Sequence, residues 1–342
     1  MSKPRIEKWE EPHLVLITGA TGAIGPLVVN EFFNAGFSVR TLSLHQPESD
    51  IWPLDVDARI GDITDASSVA DAMEGADAVI HMAALLHIVN LPPGLERLYE
   101  QVNVGGTSVV VGAALRAGVR RIVFFSTIAV YGRSDGKIVT EHDPVRPDTF
   151  YARTKLEAEN IVLRATNPEG GHIGSVLRLG AVYGSRIKGN YQRLVHSLAR
   201  GRFVPIGTGN NRRSLVYDKD VARAAVLVAG HDDAAGKIFN VTDGSFHTVN
   251  EIIGAICHAL GRKPPSVSLP LSAVRLATGF IEDGVKLLGW QPPVSRETID
   301  KYTEDIAVDS RRIQRELGFK PQYDLNAGWK ETVEAMGYAG VL

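Results

Sequence analysis

The chain has 342 residues, 44% of them hydrophobic and 22% charged, with a formal net charge of -2. That length suits one large domain or two moderate ones, and that composition supports a full core. The near-neutral balance gives no long-range pull toward nucleic acid or an anionic membrane, although a local basic pocket stays open. The single cysteine, Cys257, excludes an intrachain disulfide; it lies in an apolar helical pattern and reads as a small core residue.

In chain order, Leu14-Val15-Leu16-Ile17 is a short apolar run that stops at a glycine loop, the pattern of a buried strand. Apolar residues at helical spacing follow over 25–35. Further strands are predicted over 37–44, 58–63, 78–82, 121–125 and 174–179, and helices over 67–74, 95–117 and 150–164. Parallel strands need such crossovers, so the alternation predicts an α/β fold, a doubly wound parallel sheet of Rossmann type with helices on both faces. Past Gly180 the pattern loosens; 214–229 turns apolar again, 237–241 reads as another strand, and the chain is mostly helical from Thr248. The expectation is a dinucleotide-binding domain over 1–180 and 213–246, with a smaller, mostly helical substrate cap over 181–212 and 247–342. The start, 1–13, is polar and lacks an apolar leader core, and no apolar run approaches the roughly 20 residues of a membrane span. A cytoplasmic protein is expected.

The loop Thr18-Gly19-Ala20-Thr21-Gly22-Ala23-Ile24-Gly25 sits between the first strand and the first helix. Three glycines there permit a tight turn, a close approach to a pyrophosphate, and close packing of helix on strand. Thr21, Ala23 and Ile24 lie at the opening helix end, whose amide N–H groups and dipole favour negative charge. A plain glycine turn is the bland alternative; the strand before and the helix after favour a dinucleotide, NAD or NADP. The second strand ends at Ser43-Leu44-His45, with neither an acid for a ribose 2′-hydroxyl nor an arginine for a 2′-phosphate, since Arg40 falls inside the strand. Asp62 and Ile63, after the third strand, are placed to touch adenine; the alternative for Asp62 is a turn or helix cap.

Tyr151 and Lys155 stand four apart in a helical stretch and so share one face. Free tyrosine, with a pKa of about 10, is a poor base at neutral pH, but an ammonium and an oxidised nicotinamide both favour the phenolate. Thr127, ending the fifth strand, can bond the same substrate oxygen. Such a pair alone is commonplace in helices. Behind a phosphate loop it supplies a base beside a hydride acceptor, the minimum for alcohol–ketone exchange. His81 and His87 lack the spacing of a metal pair on one helical face, so no metal is expected.

With Gly61-Asp62-Ile63, His81-Met82-Ala83-Ala84, Asn103-Val104-Gly105-Gly106-Thr107, Ser126-Thr127 through Gly132, Tyr151-Ala152-Arg153-Thr154-Lys155, Leu177-Arg178 and Glu316 through Pro321, the chain resembles, over essentially its full length, an extended short-chain dehydrogenase/reductase of the NAD-dependent epimerase/dehydratase family. The resemblance implies that Thr127, Tyr151 and Lys155 are catalytic, that Ala83 and Ala84 line the nicotinamide side, and that Asn103 holds structure near the site. It also implies a homodimer built on the two long helices, 95–117 and 150–164.

Substrate signals fall in the cap. Arg213, after the Gly-x-Gly turn at 207–209, corresponds to a pyrophosphate contact in nucleotide-sugar members, and a guanidinium fork matches phosphate oxygens. Asn190 precedes an amphipathic helix. Together they look most like enzymes acting at C4 of UDP-hexoses or UDP-N-acetylhexosamines, which implies a nucleotide-sugar 4-epimerase. Ala181 departs from the Asn of many sugar epimerases. A 4-keto-sugar reductase and a hydroxysteroid-like dehydrogenase are the alternative enzymes, and a dinucleotide-binding sensor the non-enzymatic one.

Overall fold

The computed structural model describes residues 13–86, 94–134, 136–186, 188–287 and 296–338. His87, most of the polar start and the prolines at 292 and 293 lie outside them. The main sheet has seven strands: β1 (Leu14–Thr18), β2 (Ser38–Ser43), β3 (Asp57–Ile60), β4 (Ala78–His81), β5 (Arg121–Thr127), β6 (Gly174–Leu179) and β7 (Ile238–Val241). Their order is β7-β6-β5-β4-β1-β2-β3, and every pairing is parallel. The winding direction reverses between β1 and β4, where a crevice opens at the carboxyl ends.

Side chains alternate across this sheet. Val15, Ile17, Val123 and Phe125 pack on one face with Val28, Val29 and Phe32 of α1 (Gly25–Asn34) and Val221, Ala225 and Val228 of α6 (Asp218–Ala229). Leu16, Val79, Ile122 and Phe124 pack on the other. There they meet α2 (Ala66–Met73), α3 and α4 (Phe150–Leu163). Helix α3 is composite: an α-turn Glu96–Tyr99, a π-helical stretch Glu100–Gly106 and an α-helix Thr107–Arg116. The pattern over 95–117 predicts one uninterrupted helix, and the structure keeps its length while widening its middle.

The third strand is shorter than 58–63. It stops at Ile60, and Asp62 turns the chain by accepting the Thr64 N–H at 2.8 Å. Beyond β6, Ala181–Tyr183 pairs in parallel with Leu215–Tyr217, and Arg212–Arg213 pairs antiparallel with His247–Thr248. Around them stand α5 (Asn190–Ala199), α7 (Val249–Ala259), α8 (Leu271–Leu287), α9 (Arg296–Thr303), α10 (Arg311–Leu317) and α11 (Leu325–Val333). Their core centres on Trp329, whose ring stacks on Tyr183 at 4.6 Å, with Ile252, Ile253, Ile256 and the buried Cys257. Thr248 and Glu251 form a capping box that starts α7. Among the described residues no helix is long and apolar enough to cross a membrane, and no group of three His, Cys, Asp or Glu side chains can hold a metal.

Candidate functional site

The glycine loop lies at the β1 end of the crevice. Gly19 has φ +75°, and a Cβ there would sit 2.7 Å from the Ala83 Cα, so the loop and the start of the segment after β4 touch backbone to backbone. A Cβ on Gly25 would collide with the Ala20 carbonyl. No side chain caps the start of α1, where Ile24 is the N-cap residue and Pro26 lies in the first turn. The Gly22 N–H is bonded to the Gly19 carbonyl at 3.0 Å and the Gly25 N–H to the Gly22 carbonyl at 3.2 Å, which folds the loop tightly at the helix entrance by Ala23 and Ile24, the place a diphosphate takes in such a turn. This cradle, closed to any side chain and ending on an uncapped helix, fits a dinucleotide. Beside the loop, the buried Ser43 hydroxyl accepts the Thr21 N–H at 3.3 Å. Arg40 is committed to Asp57 at 2.6 Å and to the carbonyls of Ala72 and Glu74.

A directed chain of hydrogen bonds links the loop to the far wall. Thr107 donates to the Asn103 carbonyl at 2.6 Å and so accepts from His81 Nε2 at 2.9 Å. His81 Nδ1 then accepts from Thr18 Oγ1 at 2.7 Å, and Thr18 Oγ1 accepts the Ala83 N–H at 3.3 Å. This order assigns the neutral Nε2–H tautomer. Burial, with the Lys155 charge nearby, holds the imidazole down to about 3. The Asn103 side chain, on the π-helical stretch, holds Leu85 through both its N–H at 2.8 Å and its carbonyl at 3.2 Å, and donates to Thr154 Oγ1 at 3.1 Å. One amide thus ties the segment after β4 to α4.

On α4, Tyr151 and Lys155 stand one turn apart, and Thr127 ends the neighbouring β5. Thr149 caps α4 by accepting the Ala152 N–H at 3.1 Å, which fixes where Tyr151 enters the helix. Burial pushes the Tyr151 phenol up, and the Tyr99 phenol adds to this. The lowering expected from Lys155 is therefore not seen in the chain alone. Lys155 is buried, lies over the Phe124 ring at 4.2 Å, and is pushed down by burial to about 7, with the Glu159 carboxylate pulling the other way. Thr127 Oγ1 accepts the Ala129 N–H at 3.2 Å.

Behind this group lies a buried polar network that sequence spacing only hints at. Glu159, one turn past Lys155, pairs with Arg178 of β6 at 2.7 Å and accepts a hydrogen bond from Ser126, the neighbour of Thr127. Arg178 also lies 4.8 Å from the Tyr131 ring, and Tyr131 donates to Asn240 of β7 at 2.7 Å. Glu159 was within reach of a reading at i+4 from Lys155. Its partner Arg178 comes from a strand 19 residues on, which no local pattern reveals.

The cap residues are placed differently from one another. Arg213 Nη2 donates to the carbonyls of Lys301 and Tyr302 at the end of α9, so part of its fork is occupied within the chain. Asn190 is exposed at the start of α5. A cleft of about 260 Å³ is lined by Arg133, Arg275, Asp300, Thr303, Glu304 and Asp305. Burial and the Asp148 carboxylate, three residues before Tyr151, raise Glu304, while Arg213, Arg133 and Lys301 oppose them.

Comparison with known proteins agrees with this geometry. The chain is 27% identical, over 94% of each sequence, to an N-acetyl-alpha-D-glucosaminyl-diphospho-ditrans,octacis-undecaprenol 4-epimerase of Escherichia coli O157:H7. It is 26% identical to a 3 beta-hydroxysteroid dehydrogenase/Delta 5→4-isomerase of Mycobacterium tuberculosis, over 90% of the chain and 86% of the relative. The solved structure of MoeE5 in complex with UDP-glucuronic acid and NAD superposes with a TM-score of 0.74 at 27% identity, covering 94% of this chain and 98% of that one. Residues 15–242 match the model of the NAD dependent epimerase/dehydratase family, and the chain belongs to that family, as an NAD(P)-dependent enzyme of the oxidoreductase or isomerase type.

Proposed function

We propose that the protein is a nucleotide-sugar epimerase that inverts C4 of a UDP-hexose or UDP-N-acetylhexosamine through transient oxidation to the 4-keto sugar, bound dinucleotide supplying hydride acceptance and return. The reading is supported by Tyr151 and Lys155 standing one turn apart on α4, with Thr127 at the end of β5 and the glycine loop at the end of β1 in the same parallel sheet. The loop residues Gly19, Thr21, Gly22, Ala23, Ile24 and Gly25 hold the diphosphate. Ser43, Asp62 and Ile63 bound the adenosine, and Ala83, Ala84 and Asn103 the nicotinamide side. Tyr151 accepts the C4 hydroxyl proton and later returns it. Lys155 holds the nicotinamide ribose and stabilises the phenolate, and Thr127 bonds the same hydroxyl. Asn190 and Arg213 face the diphosphate of the substrate. Residues 1–180 and 213–246 form the dinucleotide unit and 181–212 and 247–342 the cap; the assembly is a cytoplasmic homodimer built on α3 and α4.

The test is incubation of the purified protein with UDP-glucose or UDP-N-acetylglucosamine and NMR detection of the C4 epimer. Tyr151→Phe is expected to lower turnover by about 10²–10⁴ while dinucleotide binding, read by fluorescence, is kept. Full turnover in that variant would refute the assignment. A second reading, a one-way dehydrogenase or reductase on a hydroxysteroid-like or keto-sugar alcohol, is favoured by the occupation of Arg213 by two carbonyls. Net NADH or NADPH production from an alcohol, or its net consumption by a keto sugar, with no epimer formed selects it.

A further inference from the structure

Acidic residues are absent from two long stretches of a chain that contains 39 of them: none occurs over 170–217 or over 252–281. The two stretches meet in the cap. A Cβ on Gly201 would lie 3.3 Å from Arg262 Nη1, Ile206 bridges to Leu269, and Leu269 N donates to the Pro205 carbonyl at 2.9 Å. Arg200, Arg202, Arg262 and Lys263 are exposed here, and among the described residues no carboxylate pairs with any of them.

Set among these cations are four large apolar side chains: Val204 at 46% exposure, Val267 at 68%, Leu269 at 45% and Leu276 at 64%. Single exposed apolar residues are ordinary on a soluble protein. Four on adjoining segments that themselves carry no acid and that also carry Arg200, Arg202, Arg262 and Lys263 are not. Such a surface matches an interface whose headgroups are negative and whose interior is apolar. Arg275, on the same segment, also lines the cleft beside Glu304 and pairs with Asp300, so the surface runs to the mouth of that cleft.

We propose that this face of the cap docks on an anionic phospholipid bilayer, the cations meeting headgroup phosphates and the four apolar side chains entering the headgroup boundary. The expectation drawn from net charge, which gave no pull toward anionic membranes, averages over this segregation. Docking is independent of the chemistry at Tyr151, and its test does not read activity.

The experiment is co-sedimentation of the full chain, with NAD present, on vesicles of phosphatidylcholine alone and of phosphatidylcholine with phosphatidylglycerol. The protein sediments with the second and not the first, and added salt weakens binding. Charge reversal at Arg202 or Lys263 lowers partitioning by about fivefold or more. The double variant Val267→Asp/Leu276→Asp lowers it by at least about tenfold, with NAD binding and thermal midpoint kept as the folding control. Equal sedimentation on both vesicle types overturns the proposal, as does a double variant that binds like the parent. A protein that is dimeric by light scattering and becomes monomeric in the double variant assigns the surface to a second copy instead, and also overturns it.

Discussion

Lys155 sits where its charge is costly and useful. Burial alone depresses the ammonium, and Glu159, one turn along α4, opposes that. The pair Glu159–Arg178 is itself removed from water, so neither partner tolerates loss of the other. Glu159→Ala is expected to cost about 3–5 kcal/mol of stability, measured by denaturant melting, because the Arg178 guanidinium is left buried and unpaired. Adding Arg178→Met should restore a large part of that loss; a single variant within about 1 kcal/mol of the parent would show that the charge is not isolated. That Tyr151 and Lys155 share a helix and that Thr127 ends a strand was legible in sequence, because spacing and order fix it. The bonds of Arg213 to carbonyls 88 and 89 residues away were not, because they depend on where α9 comes to rest.

At the level of elements, the alternation of strand and helix foretold the sheet, since a buried parallel strand and a helix carry different periods. What it missed is where tertiary contact overrides period. The π-helical stretch of α3 carries Asn103, and Gly106 there lies against Ile63, where a Cβ would sit 2.6 Å from Cδ1. An apolar pattern reports that a helix is present, not that one turn is widened to aim an amide. Likewise the strand expected over 58–63 was cut short by the Asp62 turn. The contact of Gly19 with Ala83 gives an element-scale prediction. Gly19→Ala must push the ends of β1 and β4 apart at a positive φ, so dinucleotide affinity should fall by at least about tenfold by titration calorimetry, with the far-UV spectrum unchanged. Unaltered affinity would mean the loop has room to spare.

Across the whole molecule, the Thr18–His81–Thr107 chain links stability to acidity. The unfolded imidazole takes a proton near its ordinary 6.5, whereas the folded one resists to about 3. As pH falls from 6.5 toward 3 the unfolded state therefore binds the proton first, and the stability His81 contributes, complete above that window, drains away within it. Carbon NMR of labelled histidine should show His81 neutral at pH 5. A His81 that is charged at that pH would break the tautomer assignment. Saturating dinucleotide should raise the melting point, by the equivalent of about 2.7 kcal/mol at a hundredfold excess over Kd.

Strand β7 lies at the sheet's outer edge against β6, yet nearly sixty residues separate Leu179 from Ile238, and Asp220 accepts the amides of Gln322 and Tyr323 from still later in the chain. On a ribosome, β6 emerges with its outer backbone bare and waits for its neighbour, while the Asp220 carboxylate waits longer for its amides. At about 5–20 residues per second the wait of β6 from Leu179 to Ile238 is roughly three to twelve seconds, long enough for an unpaired ribbon of Val, Leu and Arg to find another nascent chain. Yield in cells should therefore respond to chaperone supply and to growth temperature more strongly than the finished enzyme's own melting point would suggest.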